Sequence, residues 1–362
     1  FAELRQRLLQ SADRSLVRSV LGSLLPELVR GHYQRRQSMA NSGRQPPLGG
    51  SRQLLSKPRN IGHGAGLLPL LFAATDTEPE SRSQELWLQV WRDDASQDDR
   101  QELEGFDADS VGVGLGFSQR LTDALGLSLG VARTDADLDG GFSGEDEVRS
   151  LEFSTSLSWS LTSTQSLSLR YAYTDHDTER RRLALIPFAG ELRRVPLLAD
   201  ITASQQSVSL LWSQYYLANN GIGIAPFIDL NASRLSTDDY LERGNNDFAL
   251  AVTTEDETQL VGSVGISVDY SRSIGSWFVL PSLNLSYSYA LDADSTRTLS
   301  SFRSFSQSFD ASGYDVAENR FQYGAGVRFL NAGGLVLAID LQFESYDDYD
   351  QRAVLAGISL PF

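Results

Sequence analysis

Residues 150–161 read Ser-Leu-Glu-Phe-Ser-Thr-Ser-Leu-Ser-Trp-Ser-Leu. Nearly all odd positions in this stretch are apolar or aromatic, and the even positions are polar. Successive side chains of a β-strand point to opposite faces, so the stretch predicts a strand with one apolar and one polar face. The alternation recurs as far as Phe362. A soluble sandwich would bury the apolar face in a core, whereas a transmembrane barrel would turn it toward lipid.

Composition narrows the classes of function. The chain has 362 residues, 41% of them hydrophobic, and no cysteine. Without cysteine it has no disulfide framework and no thiolate chemistry. It also lacks the run of about 18 apolar residues that a membrane-spanning helix needs. His32 and His63 have no partners at metal-ligand spacing, so we expect neither a metal nor another cofactor.

Twelve strands are predicted, and their connections alternate in length. The short connections lie at one rim and the long polar or acidic ones at the other, which is typical of a bacterial outer-membrane barrel. The strands are placed near residues 85–93, 108–120, 125–135, 148–161, 165–177, 204–217, 222–236, 257–272, 277–291, 319–330, 335–346 and 351–362. Long connections are expected at 94–107, 136–147, 178–203, 237–256 and 292–318. This pattern predicts an all-β, antiparallel barrel in which the first strand pairs with the last.

Four tryptophans fall near the rim with the short turns. They are Trp87, Trp159, Trp212 and Trp277. Tryptophan prefers the lipid–water boundary, where its ring lies in lipid and its N–H reaches water. We therefore predict that these rings mark a membrane interface; the alternative is that they are ordinary core aromatics.

The last strand carries a further signal. Gly357, Leu360 and Phe362 are spaced as Gly-x-x-apolar-x-Phe. This spacing resembles the C-terminal signal read by the barrel-assembly machinery of Gram-negative bacteria. Leu355 departs from that signal, because a polar residue is usual there, and Pro361 cannot donate a ladder hydrogen bond.

The N-terminal segment differs from the rest in charge and pattern. Residues 1–60 carry a net charge of +8, and the remainder carries −24. Residues 15–37 are predicted to be helical, with an apolar stripe that ends at Val29 and a polar, arginine-rich stretch after it. We divide the chain into a helical segment at 1–43, a linker at 44–84 and a barrel at 85–362.

The order of these elements resembles the translocator unit of an autotransporter. The match rests on Leu24-Leu25-Pro26-Glu27 in an amphipathic helix, an Arg-rich polar helix, a Trp-bearing first strand and the Gly-rich stretch at residues 105–116. The resemblance implies an outer-membrane anchor of type V secretion that carries an N-terminal passenger in cis to the cell surface, with a helix in or near the lumen. The 44–84 connection departs from the family, which usually has a short one.

Alternation also assigns residues to the lumen. A net acidic inner face would hold a basic helix, so we predict contacts between helix arginines and lumen carboxylates; the alternative is that the acids only hydrate a channel. The helix residues are Arg30, Arg35, Arg36 and Arg44, and the lumen residues are Glu152, Asp229, Asp269, Asp340 and Glu344. Residues predicted to face lipid are Phe153, Leu157, Leu169, Leu210, Ile266, Val327 and Ile339.

Two other functions stay open. A solute channel, porin-like and plugged by the N-terminal segment, fits the same barrel. A barrel protease could use Asp175 and His176, since an imidazole held by a carboxylate is a competent base. We expect no enzyme, no nucleic-acid partner and a monomer in the bacterial outer membrane, in contact with lipid and the assembly machinery, with the long loops facing the cell exterior.

Overall fold

The computed structural model describes most of the chain from Gln84 onward. The described residues are 84–98, 105–140, 144–188, 191–218, 221–244, 248–293, 297–304, 308–312, 319–331, 334–346 and 349–362. The predicted helical segment at 1–43 and nearly all of the predicted linker lie outside them. No helix in the described part is long and apolar enough to cross a membrane.

Twelve long strands form the wall. They are β1 (Gln84–Gln97), β2 (Phe106–Arg120), β3 (Leu125–Asp139), β4 (Glu145–Ser160), β5 (Gln165–Phe188), β6 (Glu191–Gln214), β8 (Ile222–Thr237), β11 (Glu257–Tyr270), β13 (Trp277–Ala293), β16 (Asn319–Asn331), β17 (Val336–Tyr346) and β18 (Tyr349–Pro361). Shorter strands are β7 (Tyr216–Leu217), β9 (Tyr240–Leu241), β10 (Leu250–Thr254), β12 (Arg272–Ile274), β14 (Arg297–Phe302) and β15 (Ser308–Ser312).

The wall closes on itself. Each long strand pairs antiparallel with its neighbours in chain order, and β1 pairs with β18 from Glu85↔Pro361 to Gln97↔Tyr349. The Phe362 amide adds a hydrogen bond of 3.1 Å to the Gln84 carbonyl. Closure leaves no open edge. The backbone N–H and C=O groups of an open edge would find no hydrogen-bond partner in lipid. The predicted twelve-stranded antiparallel barrel, with its first strand paired to its last, is confirmed.

The two faces of the wall follow the alternation. On β1, Leu86, Leu88 and Val90 are exposed on the outer face, whereas Glu85 and Asp93 are buried on the inner face. A soluble protein would bury such an apolar face, so its exposure around a closed barrel indicates a lipid-facing surface. All seven residues predicted to face lipid lie on this outer face, namely Phe153, Leu157, Leu169, Leu210, Ile266, Val327 and Ile339.

Three predicted long connections are wrong in part, because they contain strands. Residues 178–203 continue β5 and β6, which pair without a break from Gln165↔Gln214 to Phe188↔Glu191. Residues 237–256 and 292–318 contribute β9, β10, β14 and β15, which form a second sheet in the order β15-β14-β10-β9. The chain just after β9 stays joined to β6, since Leu198 and Arg243 exchange backbone hydrogen bonds of 2.9 and 2.7 Å. The small sheet therefore continues the wall beyond the barrel.

Two rims follow from this arrangement. The short-turn rim carries tight connections such as residues 121–124 and 161–164, and the long-loop rim carries the small sheet and the tip of the β5–β6 hairpin. At the short-turn rim, Gly221 and Gly275 have φ angles of 81° and 62°. Glycine adopts this left-handed region without a steric penalty.

The prediction for Trp87 is wrong. Its side chain lies on the inner face and is 8% exposed, not at a lipid boundary. A Cβ built at Gly116 would lie 2.2 Å from the Trp87 ring, and one at Gly130 would lie 2.9 Å from it. The ring therefore fills a trough that two glycines leave open. Trp91 covers Gly112 in the same way and packs against Leu355, which explains an apolar residue at that position of the last strand.

Candidate functional site

The inner wall of the barrel is the candidate site, because it is the only polar surface that the closed sheet of described strands encloses. Its inward-facing residues include more carboxylates than guanidinium groups. The carboxylates are Glu85, Asp93, Asp146, Glu152, Asp229, Glu242, Glu257, Asp269, Asp340 and Glu344, and the guanidinium groups are Arg120, Arg170, Arg180, Arg182, Arg320 and Arg328. The five acids predicted to face the lumen are all on this wall.

The middle of the wall is polar and partly open to solvent. Arg170 on β5 donates to the Glu152 carboxylate on β4 at 2.5 Å, and their side chains are 11% and 15% exposed. Ser209 donates to Asp229 at 2.8 Å, within β6 and β8. These are contacts between neighbouring strands, so they line the lumen without crossing it. A surface of this kind suits hydrated charge.

A second group of charges lies toward the short-turn rim. The Arg328 guanidinium is 3.8 Å from the Asp340 carboxylate, and the Tyr215 hydroxyl donates to Asp269 at 3.5 Å. Tyr215 and the three charged groups are almost fully buried. Two predicted lumen acids thus lie at the same level of the wall: Asp269 on β11 and Asp340 on β17. The fifth, Glu344, accepts a hydrogen bond of 2.5 Å from Gln322.

A third group lies at the long-loop rim and was not predicted. Arg182 on β5 donates from Nε to Glu242 Oε1 at 2.8 Å and from Nη2 to Oε2 at 2.5 Å. Arg180 donates to Asp146 at 3.1 Å and to the Tyr240 hydroxyl at 3.0 Å. We call Asp146, Arg180, Arg182, Tyr240 and Glu242 the outer network. Its members come from distant parts of the chain, which is why local sequence patterns did not reveal it.

The remaining predicted site residues are distributed as follows. Arg30, Arg35, Arg36 and Arg44 lie outside the described residues. Trp159 is 53% exposed on the outer face, and Trp212 and Trp277 are half-buried at outward positions near the short-turn rim. On β18, Leu360 and Phe362 are exposed on the outer face, and the Phe362 ring lies 6.2 Å from that of Phe117.

The Asp175–His176 pair that the protease hypothesis requires does not form. Asp175 lies on the outer face, where its carboxylate accepts a hydrogen bond of 2.7 Å from Tyr173. His176 lies on the inner face, with Nδ1 2.8 Å from the Ser150 hydroxyl. Neighbours in a strand point in opposite directions, so Asp175 cannot hold the His176 imidazole. Among the described residues, no group of three or more His, Asp or Glu side chains is arranged to hold a metal ion.

Comparison with known proteins decides the family. The sequence-family model of the autotransporter β-domain matches residues 86–342, which cover most of the barrel. The chain belongs to the autotransporter β-domain family. No curated protein sequence matches it closely.

Solved autotransporter barrels share the fold at low sequence identity. The translocator domain of NalP from Neisseria meningitidis has a TM-score of 0.62 and 11% identity, over 79% of this chain and 90% of that one. The β-domain of BrkA from Bordetella has a TM-score of 0.57 and 16% identity, over 77% of this chain and all of that one. An autotransporter β-domain is an outer-membrane barrel, and the apolar outer face described above is the surface that such a location requires.

Proposed function

We propose that this autotransporter β-domain is the outer-membrane translocator and anchor of a passenger attached in cis at its N-terminal side. The observation that carries the proposal is a closed twelve-stranded wall with an apolar outer face and a polar, net acidic inner face. An eight-stranded barrel is filled by its own side chains, and sixteen strands leave an aqueous channel. Twelve strands lie between these limits, so the lumen has room for an extended chain or for a helix about 10–12 Å across.

We further propose that part of residues 15–44 occupies this lumen as a helix. The support is charge complementarity: the segment carries Arg30, Arg35, Arg36 and Arg44, and the inner wall carries Glu152, Asp229, Asp269, Asp340 and Glu344. Charges inside a narrow lumen are screened less than charges on an open surface, although each also loses hydration. We therefore expect the pairing to determine where the helix sits without a large net gain in stability.

The long-loop rim is proposed to face the cell exterior. Toward this rim the outer face of the wall changes from apolar to charged side chains. Arg92 pairs with Asp109 at 3.2 Å, and Arg149 pairs with Glu179 at 3.3 Å. Outward-facing ion pairs are costly in hydrocarbon, so this part of the wall must stand clear of the lipid.

The remaining partners follow from the same surfaces. The apolar outer face contacts outer-membrane lipid, and Gly357, Leu360 and Phe362 on β18 are proposed to be read by the barrel-assembly machinery. Because the wall is closed and its lipid belt is continuous, we propose that the barrel is a monomer. We also propose that it has neither enzymatic activity nor a nucleic-acid partner.

Crosslinking tests the lumen helix. The chain has no cysteine, so Arg36→Cys combined with Asp229→Cys or Asp340→Cys provides a single defined pair. We expect a disulfide or a short bifunctional crosslink within the folded barrel. The matched control combines Arg36→Cys with Leu169→Cys, which faces lipid. Crosslinking only to the control position, or to neither wall position, would contradict a helix in the lumen.

A secretion experiment separates translocation from solute transport. A reporter domain fused before Phe1 should become accessible to external protease on intact cells. The alternative function, a solute channel plugged by the N-terminal segment, is favoured by the solvent-accessible Glu152–Arg170 pair. It predicts that deletion of residues 1–60 raises ion conductance while the fused reporter stays inside.

A further inference from the structure

The part of the wall beyond the barrel folds its inner face into a packed core. This outer core consists of Ala199, Ile201, Tyr240, Leu250 and Val252, with Phe302 and Phe309 against it. The five central residues are at most 6% exposed, and the centroids of the two phenylalanine rings lie 5.6 Å apart. These side chains come from the inner faces of β6, β9, β10, β14 and β15. In an open cylinder they would line a water-filled lumen, but here they are covered, so the inner face of this part of the wall is packed.

The outer network reaches across this part of the wall. In the wall, β6 separates β5 from β9, and adjacent strands are about 4.8 Å apart. Arg180 and Arg182 nevertheless reach across the inner face of β6 to Tyr240 and Glu242. Such contacts join two strands that are not neighbours, over the inner face of the strand between them.

The network is also fully desolvated and multiply connected. The side chains of Arg182 and Glu242 are each 3% exposed. Glu242 Oε2 accepts a further hydrogen bond of 2.9 Å from the Leu250 amide, and Arg182 donates to the Phe248 carbonyl at 3.2 Å. A charge buried this deeply is tolerated only with its partner in place, so loss of one member should release the others.

We propose that the outer network is a latch that holds the outer part of the wall curled over the lumen, and so narrows the exit of the barrel on the β5–β15 side. When the latch is intact the exit is constricted by the outer core. When it is broken, water enters the outer core and the sheet moves back toward the line of the wall. The latch depends only on the described barrel and not on what passes through it.

Cysteine accessibility tests the latch directly. Ala199→Cys places a single small thiol in the outer core, and Ala338→Cys places one on the inner wall near the short-turn rim. Both sites are about equally buried, at 2% and 4% exposure. The probe is a membrane-impermeant maleimide added to intact cells that carry the full chain in the outer membrane. We expect Arg182→Met to raise the labelling rate of Ala199→Cys at least about tenfold. A tenfold change corresponds to a decrease of about 1.4 kcal/mol in the free energy of local opening.

Controls separate a latch from a general loss of stability. Arg181→Met is the matched variant, because Arg181 faces outward and pairs with Glu145 at 3.8 Å in an exposed position. It should leave labelling unchanged, and Ala338→Cys should stay protected in every background. If Arg182→Met prevents folding, two milder variants are available. Glu242→Gln removes the negative charge but keeps one acceptor oxygen, and should give a smaller increase in labelling. Tyr240→Phe removes only the hydrogen bond from Arg180, and should give a smaller increase still. Unchanged labelling of Ala199→Cys in all folded variants, or equal exposure of Ala338→Cys, would overturn the proposal.

Discussion

The middle of the barrel and the outer network each contain an Arg–Glu pair, and the two pairs have opposite surroundings. Arg170 and Glu152 are on adjacent strands and keep 11% and 15% of their side-chain surface exposed, whereas Arg182 and Glu242 reach across a strand and keep 3% each. Water can replace a lost partner in the first pair but not in the second. The same two residue types therefore line a wet lumen in one place and close it in another.

The largest expected effect comes from breaking these pairs in parallel. Arg182→Met should lower the free energy of unfolding by about 3–5 kcal/mol, because Glu242 keeps a buried and unpaired charge. Arg170→Met should cost only about 1–2 kcal/mol, since water can hydrate Glu152. Urea titration of the barrel in lipid vesicles measures both. Equal losses would show that the middle of the lumen is as dry as the outer core.

A second comparison uses the two faces of one strand. Leu169→Arg puts a charge into lipid and should cost about 2–4 kcal/mol near the bilayer midplane. Ser168→Arg puts the same charge on the wet inner wall, where we expect little loss of folding yield. If the two variants fold equally well, the assignment of inner and outer faces at β5 is wrong.

Glycine substitutions test how tightly the inner face is packed toward the short-turn rim. A Cβ at Gly116 would lie 2.2 Å from the Trp87 ring and 2.3 Å from the Leu129 carbonyl oxygen, whereas one at Gly114 would make ordinary contacts of 3.4 Å. Overpacking typically costs about 1–3 kcal/mol, so Gly116→Ala should destabilise the barrel by that amount. Gly114→Ala is the control and should be tolerated. Similar stability of both variants would mean that Trp87 can move aside.

The smallest effect is a pH dependence confined to the outer core, beyond the membrane-spanning part of the wall. Burial raises the pKa of the Tyr240 hydroxyl to about 12. The folded state therefore holds this proton more tightly than the unfolded chain, whose tyrosine titrates near 10. The stabilisation is complete below pH ~10 and is lost as the pH rises toward ~12. Tyrosinate absorbance should include this late titration, and Tyr240→Phe should reduce the late step by one tyrosine; an unchanged late step in Tyr240→Phe would mean that water already reaches the outer core.

Sequence alternation predicted the barrel well because its period of two is local. It assigned Phe153 and Leu169 to one face and Glu152 and Asp229 to the other. Trp87 shares the parity of Glu85 and Asp93, so alternation alone places its ring on the inner face. Only its proximity to a rim suggests a lipid boundary, and parity is the stronger indicator.

The features that sequence could not predict arise beyond the lipid. There the outer face of a strand need not be apolar, so the charged stretch at residues 180–182 hides the continuation of β5, and residues 178–203 have the composition of a loop. The outer network joins residues about 60 positions apart across an intervening strand. Its formation depends on which strands the fold places two apart in the wall, and no spacing in the chain encodes that arrangement.

The seam between β1 and β18 also makes closure of the wall depend on the two strands that lie farthest apart in the chain. Every strand from β2 to β17 could zip onto its neighbour as soon as both exist, but β1 waits for the most distant partner in the wall. A chain that ended before Tyr349 would leave unpaired backbone N–H and C=O groups on β1 and β17, and lipid offers these groups no hydrogen-bond partner. Such a product could not seal and would remain exposed to envelope proteases. The thirteen paired positions of the seam thus make closure all-or-none, because the wall has no open edge only when both β1 and β18 are present.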